Sequence, residues 1–360
     1  MRNVYLEHLS LNNYRNFSEL SLAFLSGVNI IVGPNGSGKT NILEAISLLS
    51  PGKGLKSANF DEICRYGFGS WKTECRLQSK LGVAEIETTF NSQERNRKIN
   101  YNGSKVSSGE LLNLLNLIWV TPQMEGIFAG PASVRRRFLD RIVYNFYPAH
   151  AKRLAKYEHF MKERNKALSQ RGWESQGSWL STVEEKMTEE AIIIEKARSE
   201  TVYYMQQAIN NLATDFPKAK LVLSELSDQQ GQWSSFAEAY AEMLLKGRTK
   251  DSYAGRTTFG VHRSDLNVFH SEKQRLAKFC STGEQKAMLV SIILSSVESI
   301  LKNTGCSPVL LLDELFVHLD EVRKKQLANY ITSTNLQTLV TTTDIVGMEY
   351  LAAKSKVIEL

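Results

Sequence analysis

Eight consecutive residues, Gly33-Pro34-Asn35-Gly36-Ser37-Gly38-Lys39-Thr40, have the types and spacing to hold a phosphate. They fit the form G-x-x-x-x-G-K-[ST]. The glycines let successive backbone N–H groups converge on phosphate oxygens with no Cβ in the way. Lys39 is placed to reach β and γ phosphates, and Thr40 to offer a hydroxyl to Mg²⁺. A second chemical group lies far along the chain. Val309-Leu310-Leu311-Leu312-Asp313-Glu314 is four apolar residues followed by two carboxylates. A buried parallel strand reads this way, with its chemistry at the C-terminal end. Asp313 would serve the Mg²⁺ shell, and Glu314 would polarise an attacking water as general base.

These residues need a scaffold. Val28 to Val32 is a short apolar run that reads as a buried strand, and Asn41 to Leu49 has the apolar spacing of a helix closed by Pro51. The loop between them therefore opens onto a helix N-terminus, where the dipole favours an anion. From Lys39 to Asp313 is 274 residues, more than one compact nucleotide-binding domain needs. An inserted segment explains the excess.

The pattern along the chain agrees. Val4 to Leu11, Leu20 to Phe24, Trp71 to Leu77, Val83 to Phe90 and Leu117 to Val120 read as strands, with a hairpin signal at Asn102-Gly103. From Ala132 to about Leu212 the pattern is helical, and Gly172 and Gly177 mark a turn between two long helices. Met187, Ala191, Ile194, Arg198, Thr201, Met205 and Ala208 follow a heptad, but two of the seven are polar. That favours a helix in a small bundle over a long coiled coil. Leu221 to Leu223, Thr257 to Val261 and Leu266 to His270 read as strands, Trp233 to Leu245 and Gly283 to Leu301 as helices, and Pro308 to Leu312 and Leu336 to Val340 as strands. The expected division is an α/β unit of residues 1–130 and 247–360, interrupted by a helical insertion of residues 131–246.

The chain has 360 residues, 42% of them hydrophobic and 23% charged, an ordinary globular composition. No run approaches 18 apolar residues, so no membrane span is expected. The N-terminus lacks the apolar core of a signal peptide. Cys64, Cys75, Cys280 and Cys306 form no C-x-x-C pair, which argues against a structural zinc site and fits a reducing cytoplasm. Forty-four basic residues against 38 acidic give a net charge of +6. The excess is local: Pro131 to Gly172 carries 11 basic and 3 acidic residues, whereas Glu174 to Glu200 carries 7 acidic and 3 basic. Two readings stand, a helix pair held by mutual attraction or a face that binds a polyanion.

Ser281-Thr282-Gly283-Glu284-Gln285-Lys286 precedes a long amphipathic helix. It is either a simple N-cap or the signature loop of an ABC-type ATPase, in which a Ser and a helix N-terminus face the γ-phosphate held by another subunit. The order of phosphate loop, signature and acidic strand favours the second. Three smaller pieces follow expected strands; each alone reads as a plain loop residue, and their order along the chain favours a site role. Gln123 in Thr121-Pro122-Gln123 would serve water or metal, Asp320 in His318-Leu319-Asp320 stands where ABC-type enzymes place an aspartate that crosses between subunits, and Asp344 after Thr341-Thr342-Thr343 would sense the γ-phosphate.

Taken together, the layout resembles the RecF family of DNA replication and repair ATPases, related to SMC proteins. The resemblance runs nearly end to end. It is carried by Asn13-Tyr14-Arg15-Asn16-Phe17, the loop Gly33 to Thr40, Asn41 to Ile46, Arg135-Arg136-Arg137-Phe138-Leu139-Asp140, Gly260-Val261-His262-Arg263-Ser264-Asp265-Leu266, Ser281 to Lys286, and Leu311 to Asp320. It implies an α/β fold: an ABC-type P-loop ATPase head with an inserted all-helical subdomain. It implies ATP and Mg²⁺ as cofactors, with Gly33 to Thr40, Arg15, Asn16, Ser281, Gly283, Gln285 and Asp320 on the nucleotide, and Thr40, Asp313 and Gln123 on the metal. Glu314, Asp313, Gln123 and Asp344 would serve a slow hydrolysis. Its implied partners are double-stranded and gapped DNA, RecR and RecO mediators, RecA at loading, and a second copy of the chain in an ATP-dependent homodimer, with no membrane. Arg135, Arg136, Arg137, Lys152, Arg153 and Lys156 are the DNA candidates. Consecutive helical residues lie about 100° apart, so at most two of the triplet can meet DNA and one should pack inside. The chain departs from the family pattern at Lys56, Ser57, Val261, Ser264, Glu314 and His318.

Rival readings fare worse. The insertion is too long and the charge distribution wrong for a transporter cassette. Only about 46 residues follow Glu314, too few for an added nuclease domain. No Asn-Lys-x-Asp segment marks a GTPase. The alternative that stands is another SMC-like ATPase acting on DNA ends.

Overall fold

The computed structural model describes residues 4–79, 82–224 and 233–360; within this range, the side chains of Trp233, Ser234 and His318 also lie outside the description, and with them the departure expected at His318. The chain forms two units. The first comprises Met1–Glu125, Leu212–Phe216 and Leu289–Leu360, and the second Gly126–Asn211 and Pro217–Met288.

The first unit opens with strands β1 (Tyr5–Tyr14), β2 (Phe17–Ala23) and β3 (Val28–Val32), then helix α1 (Lys39–Ser47). Strands β4 (Ser70–Ser79), β5 (Gly82–Asn91), β6 (Asn96–Tyr101) and β7 (Ser104–Lys105) follow, then a short helix α2 (Ser108–Leu111) and β8 (Leu117–Val120). The second unit holds α3 (Ala132–Val143), α4 (His150–Leu168), α5 (Gly177–Asn211), β9 (Ala219–Leu223), α6 (Trp233–Ala254), β10 (Leu266–His270) and β11 (Arg275–Leu276). Helix α7 (Thr282–Thr304) starts in the second unit and ends in the first. The chain then completes the first unit with β12 (Val309–Asp313), α8 (Glu321–Ser333), β13 (Thr338–Thr342), α9 (Glu349–Ala352) and β14 (Lys356–Glu359).

Two sheets build the first unit. Its five-stranded sheet is parallel, in the order β14-β3-β13-β12-β8. The central strands β12 and β13 are buried at every position, as expected of unbroken apolar or β-branched runs covered on both faces. This arrangement puts the C-terminal ends of β3, β12, β13 and β8 along one edge, and the phosphate loop leaves from β3. A six-stranded antiparallel sheet, β2-β1-β4-β5-β6-β7, alternates instead. Leu6, Leu9, Leu11, Trp71, Cys75, Ile86 and Ile99 face a core shared with Ile42, Ile46, Leu311 and Leu339. The Asn102-Gly103 turn joins β6 to β7 with φ of 45° and 78°, the left-handed pair a tight hairpin requires.

In the second unit, the heptad positions Met187, Ala191, Ile194, Thr201 and Met205 of α5 are all at 0% exposure and Arg198 at 1%, while the last, Ala208, is half-buried. The stripe is a buried face packed among helices, and its polar members are partnered inside it. Two expectations need correction. The strand expected at Thr257 to Val261 is irregular. There the backbone N–H of Thr257 donates to Asn165 Oδ1 and that of Thr258 to Asp251 Oδ1, so side chains take the place of a neighbouring strand, and Gly260 sits at φ 135°. The boundary expected at residue 247 falls at 288. The reason is pairing: β10 joins β9 of the insertion antiparallel, from Leu266 opposite Leu223 to His270 opposite Ala219. The inserted unit is thus helical with a three-stranded sheet, β11-β10-β9. Helix α7 is long and apolar enough to cross a membrane by composition, but it is mostly buried, as core helices are.

Candidate functional site

The phosphate loop runs from the end of β3 into α1. Gly36 and Gly38 hold φ of 84° and 105°, conformations that side-chain-bearing residues rarely adopt. A Cβ on Gly33 would come within 2.8 Å of Ser37 Oγ and 3.0 Å of the Leu360 carbonyl, and one on Gly38 would strike Phe17 and Asn16. Gly38 is also the N-cap of α1, so no side chain caps that helix. Lys39 is 4% exposed, and its Nζ donates to the Gly33 and Pro34 carbonyls at 2.7 and 3.0 Å. The ammonium is thereby fixed across the loop. Ser37 Oγ is buried without a hydrogen-bond partner among the described residues, an unusual condition for a hydroxyl. A cradle of tight glycines, an uncapped helix end, a fixed cation and an orphan hydroxyl suit a phosphate chain.

The carboxylates meet this loop. Thr40 Oγ1 donates to Asp313 Oδ1 and Oδ2 at 2.8 and 3.1 Å, and Thr341 Oγ1 donates to Oδ1 at 2.8 Å. Thr341 lies opposite Asp313 in the parallel β12–β13 register. Burial raises the Asp313 pKa, and the two hydroxyls pull it partly back. A buried carboxylate paired with a hydroxyl is an oxygen set that fits a hard divalent cation. Glu314 follows in the left-handed region at φ 50°. Its N–H donates to Thr341 O and Oγ1 at 3.2 and 3.0 Å, which holds the turn at the strand end. Gln123 is exposed just past β8, which neighbours β12 in parallel with Val120 opposite Leu312. Asp344 is exposed past β13, where its Oδ1 accepts from Val346 N at 3.0 Å. The edge of one sheet therefore brings together Gly33 to Thr40, Asp313, Glu314, Gln123 and Asp344. Asp320 is the N-cap of α8, accepting from Arg323 N at 2.9 Å and pairing with the Arg323 guanidinium at 3.3 Å.

Arg15 and Asn16 take supporting places. Arg15 forks onto the fully buried Glu44 of α1, with Nε and Nη2 donating at 2.8 and 2.6 Å, and its Nη1 donates to Glu62 O at 2.8 Å. Asn16 Nδ2 donates to Ser37 O at 3.1 Å and its Oδ1 accepts from Asn41 at 2.8 Å. Arg15 thus anchors α1, and Asn16 ties the loop to α1. Lys56 donates to Asn41 Oδ1 at 2.6 Å, and burial lowers its pKa. Glu44 was readable in one respect: a carboxylate on an otherwise apolar helix face. Its partner was not, because Arg15 lies 29 positions away.

In the second unit, Ser281 and Gly283 are exposed at the start of α7 and Gln285 is buried, its Nε2 donating to Cys280 O at 2.9 Å. Ser281 N donates to Glu284 Oε2 at 3.0 Å, and Glu284 N to Ser281 Oγ at 3.4 Å, a reciprocal cap. Lys273 and the Ser281 donors hold the Glu284 carboxyl down at about 2.

The basic residues divide sharply. Arg135 forks onto Asp265 with two 2.8 Å bonds and also donates to the Ile127, Phe128 and Gly130 carbonyls, so it packs inside the unit. Arg136 donates to Ser264 O at 2.7 Å. Arg137 is exposed. Arg153 and Lys156 of α4 reach Glu190 of α5 at 3.1 and 3.4 Å, so part of the basic segment is indeed tied to the acidic one. Deeper, Arg164 binds Glu184 and Asp251 at 2.8 and 2.6 Å. Arg198 forks onto Asp140 at 2.8 and 2.9 Å, and His150 Nε2 lies 2.9 Å from the same carboxylate. Burial opposes ionisation of Asp140, but Arg198 and His150 prevail and hold it at about 2. Ser264, which departs from the family pattern, joins this network by accepting from Arg198 at 2.7 Å.

Residues 5–359 match the family described as RecF/RecN/SMC N-terminal domain. The chain is 48% identical over its whole length to the DNA replication and repair protein RecF of Rickettsia bellii (strain RML369-C), and 46% identical to that of Rickettsia akari (strain Hartford), each also covered completely. Among solved structures, one described as the recombination mediator protein RecF-ATPrS in the RecFOR pathway superposes with a TM-score of 0.88 at 24% identity, covering 99% of this chain and 96% of that one. An Smc head bound to the C-terminal winged-helix domain of ScpA superposes at 0.58 and 16% identity, covering 99% and 93%. The fold is the α/β fold of ABC-type P-loop ATPase heads.

Proposed function

The chain belongs to the RecF family of DNA replication and repair proteins, and from that membership we propose that it is an ATP-dependent DNA-binding protein of recombinational repair. It binds ATP, closes as a homodimer, holds duplex DNA beside single-stranded gaps, and helps RecO- and RecR-type mediators load RecA. Slow hydrolysis resets it. The observation that carries the nucleotide reading is the bond from Thr40 to Asp313, which joins the phosphate loop to the acidic strand across 273 residues.

The roles follow from the groups. Loop N–H groups and Lys39 bind the β and γ phosphates. Mg²⁺, when bound, would neutralise charge between those phosphates; Thr40 and Asp313 would hold it, with Gln123 at the neighbouring strand end. Glu314 takes the proton of the water that attacks the γ-phosphorus as the bond to the ADP oxygen breaks. Ser281 and the start of α7 serve the γ-phosphate of the other copy, and Asp344 and Asp320 flank the site. ATP-dependent DNA affinity follows if only the closed pair presents its full DNA surface.

Lys39→Met tests the nucleotide assignment. It should lose tight ATP binding, and a wild-type affinity would contradict it. A gel shift on gapped duplex with ATP, ADP or no nucleotide tests the DNA assignment. Binding should be strongest with ATP and fall steeply with salt; equal binding without nucleotide would contradict the reading.

A further inference from the structure

Helix α4 buries Tyr157, Arg164, Ala167 and Leu168 along one edge. At 100° per residue, Lys152, Lys156, His159, Lys162 and Lys166 fall within an arc of about 120° outside that edge, and all five are exposed. From Lys152 to Lys166 the helix rises about 21 Å. Arg171, also exposed, follows the helix end.

The rest of this unit shows why the face is unusual. Arg135 has Asp265, Arg164 has Glu184 and Asp251, Arg198 has Asp140, Arg248 has Glu184, and Arg153 and Lys156 share Glu190. Lys152, Lys162, Lys166 and Arg171 form no ion pair with any described residue. The acidic residues of α4 are Glu158 and Glu163, and only Glu163 falls within the arc. The exposed arc thus carries four lysines against one glutamate, a net +3 of the segment's +8, while Arg135 and Arg136 of the triplet are held by internal bonds.

We infer that this lysine face of α4 is the surface that holds the sugar-phosphate backbone of duplex DNA. The inference rests on the DNA-binding reading above and assigns it a place. About 21 Å spans roughly six base pairs at 3.4 Å each. Lysines on flexible stems act as point charges that contact phosphates without reading bases, so the contact is indifferent to sequence. Arg135 and Arg136 fall outside the DNA contact, because their guanidiniums are bound to Asp265 and to the Ser264 carbonyl.

The test compares the full chain with Lys152→Ala/Lys162→Ala/Lys166→Ala, by fluorescence anisotropy on gapped and fully duplex DNA with ATP across a salt series. The alanine variant should bind more weakly on unrelated sequences alike. Its slope of log affinity against log salt should shrink by about 2.7, at about 0.9 per phosphate contact. The corresponding triple Lys→Arg variant should keep wild-type affinity, and both should bind ATP normally. Lys162→Glu alone, a change at one exposed position, should weaken binding in the same direction. Wild-type affinity and slope in the alanine variant and in Lys162→Glu, with wild-type protein binding well, would overturn this assignment and leave the DNA-binding reading intact. Failure of the wild-type protein to bind duplex under any nucleotide condition would overturn both.

Discussion

Glu314 holds a left-handed backbone at φ 50°, a conformation costing about 1–2 kcal/mol for a residue with a side chain. Thr341 fixes it with two acceptors on the Glu314 N–H, so β12 ends in a held turn at this residue. Glu314→Gln keeps that shape and removes the proposed base. It should bind ATP like the wild type and hydrolyse it ~10²-fold or more slower, as single-turnover measurements would show. Glu195 of α5 makes a separate prediction. It is 0% exposed and neither carboxylate oxygen has a partner among the described residues. Burial raises its pKa to about 7, with Arg198 lowering it and Asp140 adding to the rise. The folded state thus holds this proton more tightly than the unfolded chain, so the stability gained from it is fully present below about pH 4.5 and lost as pH rises through 7. Glu195→Gln should therefore raise the melting temperature at pH 8 and change it little at pH 5; equal shifts at both would contradict a titrating Glu195. At this scale the sequence was legible where a motif fixes type and spacing together, as at Lys39, Thr40 and Asp313. The hydroxyl that Thr341 gives Asp313 was not, because it depends on the register of two strands 28 residues apart.

Helix α1 shows how an element is held in place to serve the site. Its first residues belong to the phosphate loop, and its far side is locked by Arg15 on Glu44. Arg15→Ala leaves the Glu44 carboxylate buried without its cation, which should cost about 3–5 kcal/mol of stability, readable by denaturant unfolding. The double variant Arg15→Ala/Glu44→Leu should regain much of that loss; a double variant no more stable than the single would contradict an unpaired Glu44 as its cause. Element type was readable wherever periodicity was clean. The buried stripe of α5 followed its heptad even through Arg198 and Thr201, since both polar side chains find partners within the bundle. Periodicity misled at Thr257 to Val261, where β-branched residues suggest a strand but Asn165 and Asp251 capture the backbone. Nothing in the spacing foretold the edge strand β14 beside β3, because a four-residue strand carries too little pattern.

At the scale of the whole molecule, the separation of Lys39 from Asp313 in sequence announced an insertion, but not its limits. Those limits depend on β9 pairing with β10 across the helical segment, a long-range contact that local pattern does not encode. The same scale holds the central claim, that two copies close around ATP and each supplies the start of α7 to the other's triphosphate. Ser281 stands exposed at that helix start, so Ser281→Arg should bind ATP normally yet remain a single copy, which sedimentation at saturating nucleotide would show. The most direct measurement is light scattering on Glu314→Gln with saturating Mg·ATP and gapped DNA, where slowed hydrolysis would preserve the proposed closed state. The account predicts two protein copies per complex with ATP and one with ADP; a single copy throughout would contradict it.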